Sequence, residues 1–346
     1  MDLKMTASTT PKRLRVGLIG CGRFGERHAT VLADLDTVEL VAFCNRTRSK
    51  AEEFRTRFAQ GQGLVYENHH QMLEEANLDI LYICLPPFAH TDEVVQAAQR
   101  GVHIFIEKPI ALESGQAWRM VEAVEQAGVK SQVGFQMRFG EAIEYLKRAL
   151  ETGEAGPPSM VLGRYYCNTM STWWWRDRDK SGGQVVEQII HHFDLLRYLL
   201  GEPQTVFARF ANLFHRDLAD YTSEDVSATV VSFANGALGT VVATNTAVPS
   251  DTIRKMDVIT KKLMADLEDP NHAVLVYTDR PWCSSIRITS DKNLLLAESL
   301  DLIQAIREDR PTRIPIREGA RTLDLVLAAS RSAQERREIT VPRDDI

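Results

Sequence analysis

Two histidines and two carboxylates stand close together in the segment SGGQVVEQIIHHFDLLRYLLGE, residues 181–202. The segment has the apolar spacing of an amphipathic helix, on which Glu187, His191 and Asp194 would fall within roughly 60° of one another. His192 would lie about 100° from His191 and therefore outside that cluster. The cluster could form a metal site, a proton-transfer site or an ordinary polar helix face.

A metal site is the least favoured interpretation, because His191 and the carboxylates would need a third or fourth ligand from elsewhere. No HExxH motif, cysteine cluster or separate histidine-rich motif supplies one, so we expect no metal. The ordinary pKa of histidine, about 6.5, suits proton transfer near neutrality. We therefore interpret His191 as a general acid/base. Glu187, one turn earlier, would orient the imidazole or bind a substrate hydroxyl, and His192 is predicted to be an ordinary polar residue of the helix.

A glycine-rich turn near the start of the chain predicts a dinucleotide site. The stretch VGLIGCGRFGERH follows a first predicted strand and opens a predicted helix, the context in which the GxGxxG spacing is informative. Gly20 would permit the tight turn, Gly22 the approach of a pyrophosphate, and Gly25 close helix–strand packing. The helix N-terminus adds N–H groups and partial positive charge. Arg23 and Phe24, between the glycines, are predicted to contact the cofactor as well.

The end of the second predicted strand bears on the choice between NAD and NADP. An acidic side chain there would bind the ribose 2′-hydroxyl of NAD. The sequence CNRTRSK instead offers Asn45, Arg46 and Arg48, and guanidinium groups suit a 2′-phosphate. We therefore predict NADP in preference to NAD. The alternative, in which both arginines are solvated and Asn45 holds NAD, stays open.

The elements that position these residues fall into two groups. In residues 13–134, apolar strand-like runs alternate with helical patterns, which is typical of a doubly wound α/β Rossmann domain with a parallel sheet. In residues 135–346, strands follow one another through hairpins, and Asn235-Gly236 suggests a type I′ turn. This predicts a second α/β domain, with a mostly antiparallel sheet, for substrate binding and oligomerisation.

Composition narrows the partners and the compartment. The chain has 346 residues, 44% of them hydrophobic, and a net charge of −6 with dispersed Lys and Arg, which argues against nucleic acid. No apolar run approaches the roughly 18–20 residues that span a bilayer. The polar start, residues 1–13, is interpreted as a loose leader. The five cysteines (Cys21, Cys44, Cys84, Cys167 and Cys283) form no CxxC pair, so a reducing cytoplasm is expected.

A further candidate is Lys108, at the end of the predicted strand VHIFIEKP. Strand C-termini of a doubly wound sheet face the ligand crevice, so this lysine should point toward the nicotinamide side. Its pairing with the neighbouring Glu107 would be poor, because adjacent strand residues point to opposite faces. Lys108 is therefore predicted to lie in the site.

Four motifs in this order resemble the Gfo/Idh/MocA oxidoreductases: the GxGxxG turn, ICLPPFAH after the fourth strand, EKP after the fifth, and GG…E…H..D in the second domain. The resemblance covers roughly residues 13–340. It implies a Rossmann domain followed by an α/β domain with an open sheet. It also implies NAD(P)-dependent hydride transfer on sugars, cyclitols and related polyols, and homodimers or homotetramers assembled through the sheet.

By position, the resemblance places Lys108 near the nicotinamide and the oxygen of the reacting carbon, with Glu107 beside the cofactor. It places one segment along the nicotinamide ribose, namely Leu85, Pro86 and His90. It places Gln136 against the cofactor and Arg138 against the substrate.

The second domain departs from the family pattern at two positions. Glu187 stands where Asp is usual, and Ile189 where Gly is frequent. Trp175 and Arg176 match the segment before the glycine pair, where an aromatic face could stack on a sugar ring.

These residues predict a mechanism in which His191 takes a hydroxyl proton and Lys108 stabilises the developing alkoxide. Two alternatives stay open: an NAD-dependent glycosidase of the same superfamily and a non-catalytic, dinucleotide-sensing regulator.

Overall fold

The structure is a computed structural model that describes residues 12–168, 172–248, 252–280 and 284–342. Most of the predicted leader, and Cys283, lie outside these ranges. Within them, no helix is long and apolar enough to cross a membrane.

The first part of the chain forms a six-stranded, all-parallel sheet with the order β3-β2-β1-β4-β5-β6. Its strands are β1 (Leu14–Ile19), β2 (Val38–Cys44), β3 (Leu64–Tyr66), β4 (Ile80–Ile83), β5 (His103–Ile106) and β6 (Ser131–Val133). The connecting helices are α1 (Arg23–Ala33), α2 (Arg48–Phe58), α3 (His69–Glu75), α4 (Glu93–Gln99) and α5 (Ser114–Ala127). Every residue of β4 is buried, as expected of a strand covered on both faces. The predicted doubly wound Rossmann sheet is confirmed.

The second part forms a nine-stranded sheet with the order β14-β13-β12-β11-β7-β10-β9-β8-β15. Its strands are β7 (Pro158–Cys167), β8 (Pro203–Ala211), β9 (Val226–Phe233), β10 (Leu238–Thr244), β11 (Thr252–Thr260), β12 (Leu263–Asp269), β13 (His272–Tyr277), β14 (Ser285–Ile288) and β15 (Ile339–Thr340). Among the described strands of this sheet, only β7 and β10 pair in parallel, so the predicted mostly antiparallel sheet is confirmed.

Two local predictions in this sheet were incomplete. The strand β12 was not predicted, although buried Leu263, Ala265 and Leu267 alternate with exposed residues as in a half-buried strand. The hairpin between β9 and β10 is present, but its turn is not type I′. That turn needs positive φ at both central residues, and only Gly236 (φ 85°) has it, not Asn235.

The helices of the second part are α6 (Glu141–Glu151), α7 (Trp173–Arg176), α8 (Arg178–Ser181), α9 (Gln184–Glu187), α10 (Ile190–Leu200), α11 (Leu294–Arg307) and α12 (Ile316–Glu335). Of these, α6, α10 and α12 pack on the second sheet. α10 packs on β7, and α12 packs on both β8 and α5. α11 returns to contact α1. The boundary between residues 134 and 135 stays a prediction.

The apolar spacing of residues 181–202 predicted one helix, but the structure divides this segment into separate helices. Gly182 and Gly183 both have positive φ and separate α8 from α9. The N–H of Ile189 bonds to the carbonyl of Gln184, and that of His192 bonds to the carbonyl of Ile189. These hydrogen bonds span five and three residues, whereas a regular α-helix has bonds that span four, so α9 and α10 are separate helices.

Candidate active site

The glycine turn has the shape that a pyrophosphate needs. Gly20 has φ 94°, and a Cβ there would lie 2.4 Å from the carbonyl oxygen of Cys84. A Cβ on Gly25 would lie 2.1 Å from the oxygen of Gly20, so helix α1 can approach the strand only with glycine here. A Cβ on Gly22 would meet nothing within 4 Å. The backbone at Gly22 therefore faces open space in which a phosphate group fits.

Three connected grooves run from this turn into the second domain. The Arg46 groove, of about 560 Å³, is lined by Gly20, Asn45, Arg46, Thr47, Lys50 and His69. The Lys108 groove, of about 300 Å³, is lined by Gly22, Arg23, Leu85, Pro86, Lys108 and Trp174. The His191 groove, also of about 300 Å³, is lined by Gln136, Tyr165, Gln188, His191, Thr252 and Arg254.

Shared residues join these grooves into one path. Gly22 and Leu85 line both the Arg46 groove and the Lys108 groove. Phe24, Trp175 and Glu187 line both the Lys108 groove and the His191 groove. Arg23 and Lys108 also border the His191 groove. A dinucleotide and a small second molecule can therefore lie end to end along the carboxyl edge of the first sheet.

Lys108 contacts the second domain directly. Its Nζ donates to the carbonyl oxygen of Glu187 at 2.6 Å and lies 3.2 Å from Glu187 Oε1. Both side chains are less than a tenth exposed. The structure gives Glu187 a partner in Lys108, and no hydrogen bond joins it to His191 among the described residues. The predicted orienting contact from Glu187 to His191 was wrong, because the break after α9 removes the regular helical spacing between them. The alternative, in which Glu187 binds a substrate hydroxyl, stays a prediction.

His191 lines the His191 groove. Its side chain is buried, its ring packs edge-on against Phe135 at 5.9 Å, and Nδ1 has no hydrogen-bond partner among the described residues. Burial lowers the pKa of His191 well below 6.5, and the charges of Lys108 and Arg254 lower it further. The imidazole is therefore neutral at pH 7 and able to accept a proton.

His192 faces the other way. Its ring meets Tyr165 edge-on at 5.7 Å, and it contacts the sheet at Gly163, where a Cβ would lie 2.9 Å from the ring. The sequence indicated an ordinary polar residue of the helix, but this side chain is only 1% exposed. Burial lowers the pKa of His192 to about 4, so it is neutral too.

Arg138 does not line the described grooves, contrary to its predicted place at the substrate. Its Nε and Nη2 donate to the two carboxylate oxygens of Asp194 at 2.8 and 2.6 Å, and Nη2 also bonds to Glu318. Arg138 is 3% exposed and Asp194 fully buried. The same pairing removes Asp194 from the predicted cluster with His191. Gln136, two residues before Arg138, does line the His191 groove.

The remaining predicted residues divide between the grooves and their surroundings. Leu85, Pro86, Trp175 and Glu107 line the Lys108 groove. Oε1 of Glu107 also lies 2.7 Å from Nε2 of the buried His28.

Two predicted residues lie outside the main grooves. His90 is buried with Nδ1 2.6 Å from Glu93, outside the residues that line the Lys108 groove. Arg176 lines a smaller neighbouring pocket with Trp175 and pairs with Asp220 at 3.3 Å.

Two clusters of described residues could converge on a metal ion, and neither contains His191. His69, His70 and Asp92 form one, and His28, Glu107 and Glu298 form the other, with ligand atoms within 4.8 Å of one another. The second cluster is wholly buried. The absence of a metal stays a prediction.

Sequence reasoning missed Tyr165, Gln188, Thr252 and Arg254 in the His191 groove. For Arg254 a signal existed. Along β11, Met256, Val258 and Thr260 are buried, and the period of two places Arg254 on their face. Arg254 itself is exposed, so it marks the point where this face leaves the core and borders the groove.

Comparison with known proteins agrees with this architecture. Residues 14–135 match the model of the oxidoreductase family with an NAD-binding Rossmann fold, and residues 143–262 match the GFO/IDH/MocA C-terminal domain. Myo-inositol 2-dehydrogenase of Thermotoga maritima is 27% identical over 342 residues, covering 94% of this chain and 98% of that protein. D-apiose dehydrogenase of Paraburkholderia graminis is 32% identical, covering 68% and 61%.

Solved structures show the same fold. A levoglucosan dehydrogenase in complex with NADH and levoglucosan superimposes with a TM-score of 0.88 at 20% identity, covering 96% of this chain and all of that one. The two matched domains, the glycine turn and the groove between the domains lead to one assignment. This chain is a member of the Gfo/Idh/MocA family of NAD-binding oxidoreductases.

Proposed function

We propose that this oxidoreductase transfers a hydride between a nicotinamide and a CH–OH carbon of a sugar, cyclitol or related polyol. The observation that carries the proposal is that Lys108 and His191 line one continuous groove that begins at the glycine turn. Relatives named for myo-inositol and D-apiose support this substrate class.

The roles follow from the surroundings of each side chain. Neutral His191 accepts the hydroxyl proton, and the cation of Lys108 stabilises the negative charge that develops on the same oxygen. Glu187 is a positioning residue, because its carbonyl and carboxylate oxygens both hold Lys108 Nζ. The bound nicotinamide supplies the hydride acceptor. One proton and one hydride thus leave the alcohol, and a ketone or aldehyde remains.

Substitution of these two residues tests the proposal. Lys108→Ala and His191→Ala should each lower turnover by about two to four orders of magnitude, the usual contribution of a proton-transfer or charge-stabilising group. Cofactor binding, followed by fluorescence of the reduced nicotinamide, should persist in both variants. Near-normal turnover in either variant would remove that residue from the mechanism. Net production of reduced cofactor from polyols would also distinguish this activity from a glycosidase, which regenerates its cofactor.

We also propose that NADP is preferred to NAD. Arg46, Thr47 and Lys50 line the Arg46 groove, and β2 ends without a carboxylate. Glu67, after β3, is the carboxylate among the lining residues, so two cations face one anion. Arg48 does not join them, because its Nε pairs with Glu52 at 3.0 Å. One of the two arginines proposed for the 2′-phosphate is therefore occupied elsewhere.

The preference is measured as the ratio of kcat/KM for the two cofactors. Arg46→Ser should lower the ratio of NADP to NAD by roughly ten- to a hundredfold, the effect of losing one charge-assisted hydrogen bond. Arg48→Ser is the matched control and should leave the ratio unchanged. A wild-type advantage for NAD would overturn the proposal.

A further inference from the structure

We infer that the polyol taken by this enzyme carries a carboxylate, which Arg254 binds in the His191 groove. The inference rests on the proposed function, since it names the substrate class of the same site. It is carried by the position of Arg254, by the charges around it and by its lack of an acidic partner among the described residues.

Arg254 is placed in the groove by strand geometry. It lies near the start of β11, on the face that continues as buried Met256 and Val258, where the helical cover of the sheet gives way to the cavity. Its guanidinium lies 5.9 Å from the centre of the Tyr165 ring. Its charge reaches His191, whose pKa it lowers. A ligand within reach of the proton acceptor is thus also within the field of this arginine.

The charges that line this groove do not balance. Among the described residues, four cationic side chains line it, namely Arg23, Arg27, Lys108 and Arg254, against the single carboxylate of Glu187. Lys108 already holds that carboxylate. Arg23 follows Gly22 in the glycine turn and is placed for the cofactor. Arg254 has no ion pair with another residue within the ranges that the structure describes. An anionic group on the substrate would provide the missing partner.

The chemistry of the guanidinium favours a carboxylate as that partner. Two of its parallel N–H groups match the two oxygens of a carboxylate, and such charge-assisted bonds are about twice as strong as neutral ones. A polyol that covers Arg254 removes water from it, and an unpaired cation is costly to desolvate. A neutral substrate would leave that cost uncompensated, whereas a sugar acid offsets it.

Binding of matched pairs tests the inference without relying on turnover. Wild-type enzyme saturated with NADPH is titrated calorimetrically with D-glucuronate and D-glucose, D-galacturonate and D-galactose, and D-gluconate and D-glucitol, and separately with D-glucose 6-phosphate. Because the cofactor is already reduced, none of these alcohols is oxidised. We expect the acid of at least one pair to bind at least about tenfold more tightly than its neutral partner. Arg254→Gln should weaken binding of that acid by roughly ten- to a hundredfold and leave the neutral partner unchanged.

The control is Arg331→Gln, which removes the same charge from an exposed position on α12. It should leave the affinity for every ligand as in the wild type. Equal or tighter binding of the neutral member in all three pairs would overturn the inference. So would a preference for the acid that survives Arg254→Gln, or tighter binding of D-glucose 6-phosphate than of all three acids.

The two proposals fail separately. If a sugar acid binds through Arg254 but is not oxidised when NADP replaces NADPH, the inference stands and the proposed hydride transfer fails. If neutral polyols are oxidised and no acid is preferred, the proposed function stands and the inference fails.

Discussion

At the scale of single residues, the pKa of His191 links its surroundings to its proposed role. Burial is the largest cause of the lowered pKa, followed by the charges of Lys108 and Arg254. A base must be unprotonated to accept a proton, and this histidine stays neutral at pH values where an exposed histidine would be half charged.

The pH dependence of oxidation follows from this shift. Log kcat/KM should stay level as the pH falls through about 6.5, the ordinary value for histidine, and should decline only at lower pH. Arg254→Gln should move that decline toward higher pH, because it removes one of the charges that disfavour protonation. The measurement is the pH profile of NADP reduction under conditions where the enzyme remains folded. An acid limb at or above pH 6.5 in the wild type would contradict the assignment of His191 as the base.

At the scale of the elements, a buried ion-pair network joins three segments beneath the site. Arg138 follows β6, Asp194 lies on α10, and Glu318 lies on α12. Burial would raise the pKa of Glu318, but Arg197 and Arg138 outweigh burial and bring that pKa to about 2. The network orients α10, and α10 carries His191.

Removal of the central arginine should therefore destabilise the fold strongly. Arg138→Met leaves the buried Asp194 without its bidentate partner, and such losses cost about 3–5 kcal/mol. The free energy of unfolding, measured with urea, should fall by that amount. The control Arg331→Met breaks an exposed pair on α12 and should leave the free energy of unfolding nearly unchanged. A small effect of Arg138→Met, together with a large rise in KM, would return Arg138 to the substrate site.

At the scale of the whole molecule, the uncovered face of the second sheet suggests self-association, and we propose a homodimer or homotetramer through it. Phe207 on β8 lies opposite Val230 on β9, and Leu238, Val242 and Met264 are also more than a third exposed. Helices pack on the other face, so these side chains form an apolar surface on the uncovered one. Apolar surfaces of this kind typically mark interfaces.

A charge on this face should separate the subunits. Val230→Asp is expected to yield monomers, because association would bury the carboxylate without a partner. Size-exclusion chromatography with light scattering measures the mass of wild type and variant. Leu218→Asp changes a similarly exposed apolar residue in the loop between β8 and β9 and should keep the wild-type mass. A monomeric wild type, or an unchanged mass in Val230→Asp, would contradict this assembly.

Much of the fold and part of the site follow from local sequence. Alternating strands and helices, strands joined by hairpins, and the glycines at 20, 22 and 25 are set by short-range sterics and periodicity. Both sheets and the shape of the turn could therefore be predicted. The same holds for Lys108, because the end of a parallel strand always faces the crevice.

The partners of the site residues depended on the tertiary structure. The sequence indicated one helix through Glu187, His191 and Asp194, but contacts from distant segments assign these residues to different partners. Lys108 hydrogen-bonds to Glu187, and Arg138 to Asp194. Arg254, on a strand more than sixty residues from His191, lowers the pKa of that histidine. Periodicity can say which face a residue occupies. Which charge it meets is decided only when separate elements pack together, since buried charges must find partners across the fold.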